Sequence, residues 1–372
     1  MHLVPVLAVV AAFLAAPQEP ARATSPTVQT TTATREVVIH YRAWNGRSHR
    51  AYVLLPAWYR PWSNRPIPLV ISPHGRGVSG RTNARLWGSL PGIGGFALVS
   101  PDGQGRKLAR YAWGWSGDVD DLARMPVIVE RALPWLRIDQ SRIYAVGGSM
   151  GGQEALLLLG RHPGLLAGVA AFDSVADVAL QYRNFSHLRC NAACLRRLGE
   201  PLGTNLRRRE REEIGGTPTQ APRAYARRSP ITYARAIARS CVPLELWWSR
   251  YDRIVVDQNQ QSARLLRTLR TLNPEASVQG VVGTWIHSAE MVSHRLLPVA
   301  LARFGLVPPH LKLRPGGLKV EPTSPPTRAA CLAQRVEQRQ RDAAAATARI
   351  PHEPSATGTA SARPFVRGQA SR

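Results

Sequence analysis

From Arg35 to Phe304 short apolar runs alternate with longer stretches of mixed polarity. Arg35 to Trp44 alternates apolar and polar positions, Asn45-Gly46 follows, and Arg50 to Leu55 alternates again. That reads as a hairpin, because Asn-Gly is the strongest short turn signal between two strands. Further strands are predicted at Ile67–Ser72, Phe96–Ser100, Ile143–Val146, Leu166–Phe172, Leu244–Trp248 and Val278–Val282. Helical spacing is predicted at Asp118–Leu136, Gln153–Gly160, Val256–Leu272 and Ser288–Phe304. Strands alternating with helices imply a mostly parallel sheet covered on both faces. Near-continuous apolar strands such as Ile143–Val146 suit burial on both sides. Between about Val178 and Ser240 the rhythm breaks into a long Arg-rich stretch, expected to be an insertion or lid between two core strands.

The ends differ from this middle. Leu3–Ala16 is almost wholly apolar but too short to span a bilayer, which takes about 20 residues. Ala21-Arg22-Ala23 follows as a small-x-small cleavage site. Residues 1–23 are therefore expected to be a secretory signal peptide. Its first residues, Met1 and His2, lack the usual Lys or Arg, and an uncleaved anchor is the alternative. Residues 24–34 are expected to form a flexible leader, 35–307 the globular domain, and 308–372 a Pro/Ala/Arg-rich, largely disordered tail. No later segment is long and apolar enough for a membrane span. An exported chain with four cysteines is expected to form disulfides among Cys190, Cys194, Cys241 and Cys331. Three pairings are open. No Cys/His spacing matches a zinc site, and neither metal nor cofactor is expected.

The 372 residues carry 49 Lys+Arg against 24 Asp+Glu, a net charge of +25. Charge speaks to solubility and non-specific attraction, not to chemistry. The densest run, Arg207–Glu213, mixes both signs without interleaved aromatics. It reads as a solvated helix or lid segment, and no specific nucleic-acid partner is expected.

Chemistry enters at Gly147-Gly148-Ser149-Met150-Gly151, which matches G-x-S-x-G between a strand and a helix. A strand turning sharply into a helix leaves the serine strained and its hydroxyl exposed. Side chains two before and two after would crowd that turn. The helix start supplies an N–H and a positive dipole end to a developing oxyanion.

With its flanks, Val146–Gly152 resembles the secreted esterases and prolyl-oligopeptidase-like peptidases of the α/β-hydrolase superfamily. The resemblance spans about Pro66 to Phe304. It implies an eight-stranded, mostly parallel sheet with helices on both faces and a triad in the order Ser, Asp/Glu, His. Ser149 is then the nucleophile. Asp252, in Asp252-Arg253-Ile254-Val255, resembles the family's D-x-x-V acid. Asp173 and Asp177 are its rivals. Trp248-Ser249 departs from the His-Gly often found there. His287, in the loop after the last strand, is the base, with His294 as the alternative. Ser72–Gly77 resembles the H-G-x-G loop, which makes the Arg76 and Met150 N–H groups the oxyanion hole. His74 braces that loop. Ser229–Ala234 resembles the S-P-x-x-Y-A stretch of the peptidase branch.

Trp113, Trp115 and Trp285 are candidate substrate walls. The expected function is a secreted serine hydrolase acting on small-molecule or polymeric carboxylic esters. The resemblance extends to polyhydroxybutyrate-depolymerase-like and feruloyl-esterase-like enzymes. A serine peptidase of prolyl-oligopeptidase type and a non-catalytic extracellular binding protein are the alternatives.

Overall fold

A computed structural model of the chain describes residues 32–63, 65–114, 117–288, 291, 296–309, 319–320, 331, 333 and 337. The expected signal segment, most of the expected leader, Trp115, His294 and most of the expected tail lie outside the described residues.

In chain order the elements begin with β1 (Thr34–Arg42), β2 (Ser48–Pro56), β3 (Ile67–Ile71), α1 (Gly80–Arg85), α2 (Leu90–Gly94) and β4 (Ala97–Pro101). Then come α3 (Asp118–Ala132), β5 (Ile138–Gly148), α4 (Met150–Arg161) and β6 (Gly168–Phe172). The insertion contributes α5 (Val178–Asn184), α6 (Ala192–Leu198), α7 (Leu202–Ile214), α8 (Pro222–Arg227) and α9 (Ala234–Ala238). The chain returns through β7 (Leu244–Ser249), α10 (Ser262–Leu272), β8 (Val278–Gly283), α11 (Leu297–Arg303) and β9 (Lys319–Val320).

The sheet order is β1-β2-β4-β3-β5-β6-β7-β8-β9. β4, β3, β5, β6, β7 and β8 run parallel. The β1–β2 hairpin joins β4 antiparallel, and the two-residue β9 closes the other side antiparallel. The order reverses between β3 and β5, and such a switch point opens a crevice at the carboxyl ends of the strands.

Alternation within each strand divides two cores. Leu69 and Ile71, Ile143 and Ala145, Val169 and Ala171 face α3, α4 and α10 through Leu122, Leu158 and Leu265. Val70, Tyr144, Val146, Ala170 and Phe172 face α1, α2 and α11 through Ala84, Leu90 and Leu297. Both faces are buried, which is why the sequence shows continuous apolar runs rather than alternation.

Three boundaries depart furthest from expectation. β5 starts at Ile138 rather than Ile143, because its ladder to β3 extends over partly exposed polar residues that apolar counting misses. α10 starts at Ser262 rather than Val256, since Asp257 has φ +62°, which no right-handed helix accepts. The predicted Ser288 start of the last helix also fails, with Ser288 at φ +52°. No described helix is long and apolar enough to cross a membrane. The cysteines pair as Cys190–Cys194 within the insertion and Cys241–Cys331 between the start of β7 and the tail.

Candidate active site

β5 ends at Gly148 and α4 starts at Met150, so one residue makes the whole turn. Ser149 does so with φ +57° and ψ −125°, a strained conformation for a residue with a side chain. Its N–H is anchored to the Phe172 carbonyl at 2.7 Å, and its carbonyl accepts from Gln153 N at 3.0 Å. The flanking glycines are dictated by space. A Cβ on Gly147 would lie 2.5 Å from the Gly151 carbonyl carbon, and one on Gly152 would lie 2.1 Å from Ser174 Oγ.

The loop after β3 packs beside this turn. A Cβ on Gly75 would lie 3.9 Å from Ser149 Cβ. His74 holds the loop: its Nε2 accepts from Gly103 N at 2.8 Å, so its Nδ1 carries the proton and donates to the Gly75 carbonyl at 2.7 Å. Burial keeps His74 below the usual histidine range, so it stays neutral. Trp113 braces the same loop, its indole N–H donating to the His74 carbonyl at 3.0 Å. Met150 opens α4, so its N–H is one of the first-turn donors without an intrahelical partner. Arg76 and Met150 both line the pocket at Ser149.

The loops after β7 and β8 bring the other two groups. His287 Nε2 lies 2.8 Å from Ser149 Oγ, and His287 Nδ1 lies 3.0 Å from Asp252 Oδ2. Asp252 is itself held: Oδ1 accepts from Ile254 N at 2.9 Å and Val255 N at 3.0 Å, and Oδ2 from Gln258 Nε2 at 3.1 Å. A carboxylate only accepts, so the Nδ1 proton points to Asp252 and the Nε2 lone pair points to the Ser149 hydroxyl. Burial alone would lower the His287 pKa. The bond to Asp252, its charge and that of Asp173 outweigh it and hold the imidazole above the usual 6.5.

The rival acids are spent elsewhere. Asp173 accepts from Ser249 N, Trp285 Nε1 and Ser288 N. Asp177 caps α5 through Leu180 N at 3.0 Å.

The pocket at Ser149 is small, about 70 Å³, with Val175, Val178, Phe185, Leu206 and Val255 among its walls. Leu206 and Glu210 come from α7, and Glu210 pairs with the Arg76 guanidinium. One turn on, Glu213 accepts from Arg106 N, Lys107 N and Leu108 N at 2.6–3.0 Å. The mixed-sign run is thus not merely solvated: Glu210 and Glu213 face inward and pin the insertion over the site, while Glu212 pairs with Arg208 on the helix surface. Sequence reasoning missed this, although the spacing of Glu210 and Glu213 on one helix face was available. A larger cavity of about 350 Å³ lies elsewhere, and Trp113 lines that one together with Glu154, Arg228 and Tyr233. Trp285 is buried and turned toward Asp173 rather than lining the pocket at Ser149. Trp115 lies outside the described residues.

The fold has many solved counterparts. An acylaminoacyl peptidase from Pyrococcus horikoshii superposes with TM-score 0.54 at 15% identity, over 73% of this chain and 42% of that one. A puromycin hydrolase gives 0.53 at 18%, over 80% and 43%. FphF, a fluorophosphonate-binding serine hydrolase of Staphylococcus aureus, gives 0.52 at 14%, over 73% and 99%. The chain has the α/β-hydrolase fold. Within it, the turn at Ser149 follows β5, and Asp252 and His287 follow β7 and β8. No protein-family model matches the chain. A curated relative, "Putative esterase NocK" of Nocardia uniformis subsp. tsuyamanensis, is 33% identical over 160 residues, 39% of this chain and 42% of the relative. The chain thus spans less than half the length of that relative and of the first two structures.

Proposed function

We propose that the protein is a serine hydrolase that cleaves carboxylic esters through an acyl-enzyme on Ser149. The observation that carries this reading is the continuous relay from Ser149 Oγ through His287 to Asp252, at 2.8 and 3.0 Å. In it, Ser149 Oγ attacks the ester carbonyl while His287 Nε2 takes its proton. The carbonyl oxygen becomes an oxyanion held by the Arg76 and Met150 N–H groups. His287 returns the proton to the leaving alkoxide as the C–O bond breaks. Water, deprotonated by the same nitrogen, then attacks the acyl-enzyme and frees Ser149. Asp252 orients the imidazole and balances its charge. The narrow apolar pocket favours short acyl chains. The name of the curated relative supports ester substrates. A serine peptidase is the second reading, favoured by Ser229-Pro230-Ile231-Thr232-Tyr233-Ala234. Two disulfides suit an oxidising compartment and support export.

A fluorophosphonate probe tests the reading. Wild type should be labelled and Ser149→Ala should not; an unlabelled wild type overturns it. Nitrophenyl esters of graded length against peptide amides then separate esterase from peptidase.

A further inference from the structure

We propose that Asp173, at the carboxyl end of β6, is a positioning residue. Its single carboxylate ties the loop bearing Asp252 to the loop bearing His287 and adds a second negative charge beside the imidazole. The inference rests on the triad reading above.

The bonds run to the end of β7, where the Asp252 loop begins, and to the His287 loop. Oδ1 accepts from Ser249 N at 2.8 Å, three residues before Asp252. Oδ2 accepts from Ser288 N at 2.7 Å, directly after His287, and from Trp285 Nε1 at 2.7 Å, two before it. Asp173 is fully buried, so each bond is made away from water, where a charged acceptor strengthens it. Both ends of the contact are strained: Asp173 has φ +45° and Ser288 φ +52°. Such strain persists only where the surroundings over-determine it. A second link runs in parallel, with Ser249 Oγ donating to the Trp285 carbonyl.

The charge sits close as well. One oxygen of Asp173, one of Asp252 and a ring nitrogen of His287 all lie within 4.8 Å of one another. Asp252 and Asp173 are the charged groups that act on His287 among the described residues. The roles divide by contact. Asp252 bonds the imidazole directly, whereas Asp173 bonds the backbone and indole on either side of it. Asparagine cannot stand in for Asp173. N–H donors face both of its oxygens, and an amide NH₂ would meet one of them donor to donor.

The test is an NMR titration of the His287 ring, run with the rate of fluorophosphonate labelling at pH 9. Asp173→Asn should lower the His287 midpoint by about one unit and slow labelling at least tenfold at pH 9. Trp285→Phe removes one donor and keeps the charge. It should leave the midpoint within about 0.2 unit and slow labelling several-fold at pH 9. A purely structural role would not move the midpoint. An unchanged midpoint in Asp173→Asn overturns the proposal, as does unchanged labelling at pH 9. If Asp173→Asn does not fold, Trp285→Phe decides: a labelling rate equal to wild type overturns the positioning role. The titration reads Asp173 even in a protein that takes no label, so this proposal and the hydrolase reading fail separately.

Discussion

The carbonyl oxygen of Pro73 lies 2.1 Å from where a side chain on Gly151 would begin. The start of α4 and the loop after β3 therefore touch backbone to backbone. That contact sets the loop bearing Arg76 against the helix start bearing Met150, and both residues line the pocket at Ser149.

Gly151→Ala should be severe. The Cβ must displace a backbone, which cannot move as a side chain can, so the loop shifts and the oxyanion donors separate. Ester hydrolysis should fall at least 100-fold, since losing one such donor costs about 10²–10³ in rate. Gly164→Ala is the control, because nothing lies within 4 Å of its Cβ position. It should retain wild-type kcat.

The raised pKa of His287 sets a pH profile. The base must be neutral to take the Ser149 proton, so kcat/KM should rise with pH through a midpoint above 6.5. The same shift stabilises the fold fully below pH 6.5, and that contribution is lost as pH rises through the folded midpoint. Asp252→Asn removes the strongest supports of the imidazolium, and kcat should fall by about 10⁴ as the tautomer is lost. A nitrophenyl-ester assay from pH 5 to 9 measures both.

Glu213 clamps the insertion to the loop after β4. Glu213→Ala would leave the N–H groups of residues 106–108 without their acceptor. An unsatisfied buried donor costs about 1–3 kcal/mol, but Arg106 and Lys107 are exposed and Leu108 half-buried, so water recovers part of that here. Stability should drop by about 2–4 kcal/mol in denaturant titration. Proteolysis should then cut first within residues 192–227.

Glu154 is buried on α4, and its Oε2 has no hydrogen-bond partner. Burial pushes its pKa up to about 7, against the partial relief of Arg228 and Arg161. The folded state therefore holds a proton that the unfolded state releases from about pH 4.5, and stability falls as pH rises through that window. Glu154→Gln should be nearly neutral at pH 5 and stabilising at pH 8, on the order of 3 kcal/mol. Thermal melts at the two pH values check the sign.

The strands were legible because their burial is nearly continuous. Leu69, Val70 and Ile71 are apolar whichever face they turn to. The elbow was legible because its glycines answer to a local clash. The insertion was not: Arg207–Glu213 looks solvated until Arg76 and the loop after β4 supply partners more than 100 residues away. Nor could spacing choose among three disulfide pairings, since only the folded path brings Cys331 to Cys241.

Local chemistry in the sequence determined the layered α/β architecture and the strained turn at Ser149. Those depend on neighbours a few residues apart. Tertiary structure decided which carboxylate meets His287. Asp173 and Asp252 both follow parallel strands; the D-x-x-V resemblance favours Asp252, but a resemblance carries no distance to the imidazole. The register of β6, β7 and β8 supplies it: it sets Asp252 Oδ2 3.0 Å from His287 Nδ1 and gives Asp173 to three N–H donors. Hydrogen bonding acts over about 3 Å, and only the packed sheet fixes distances that fine between loops over 30 residues apart.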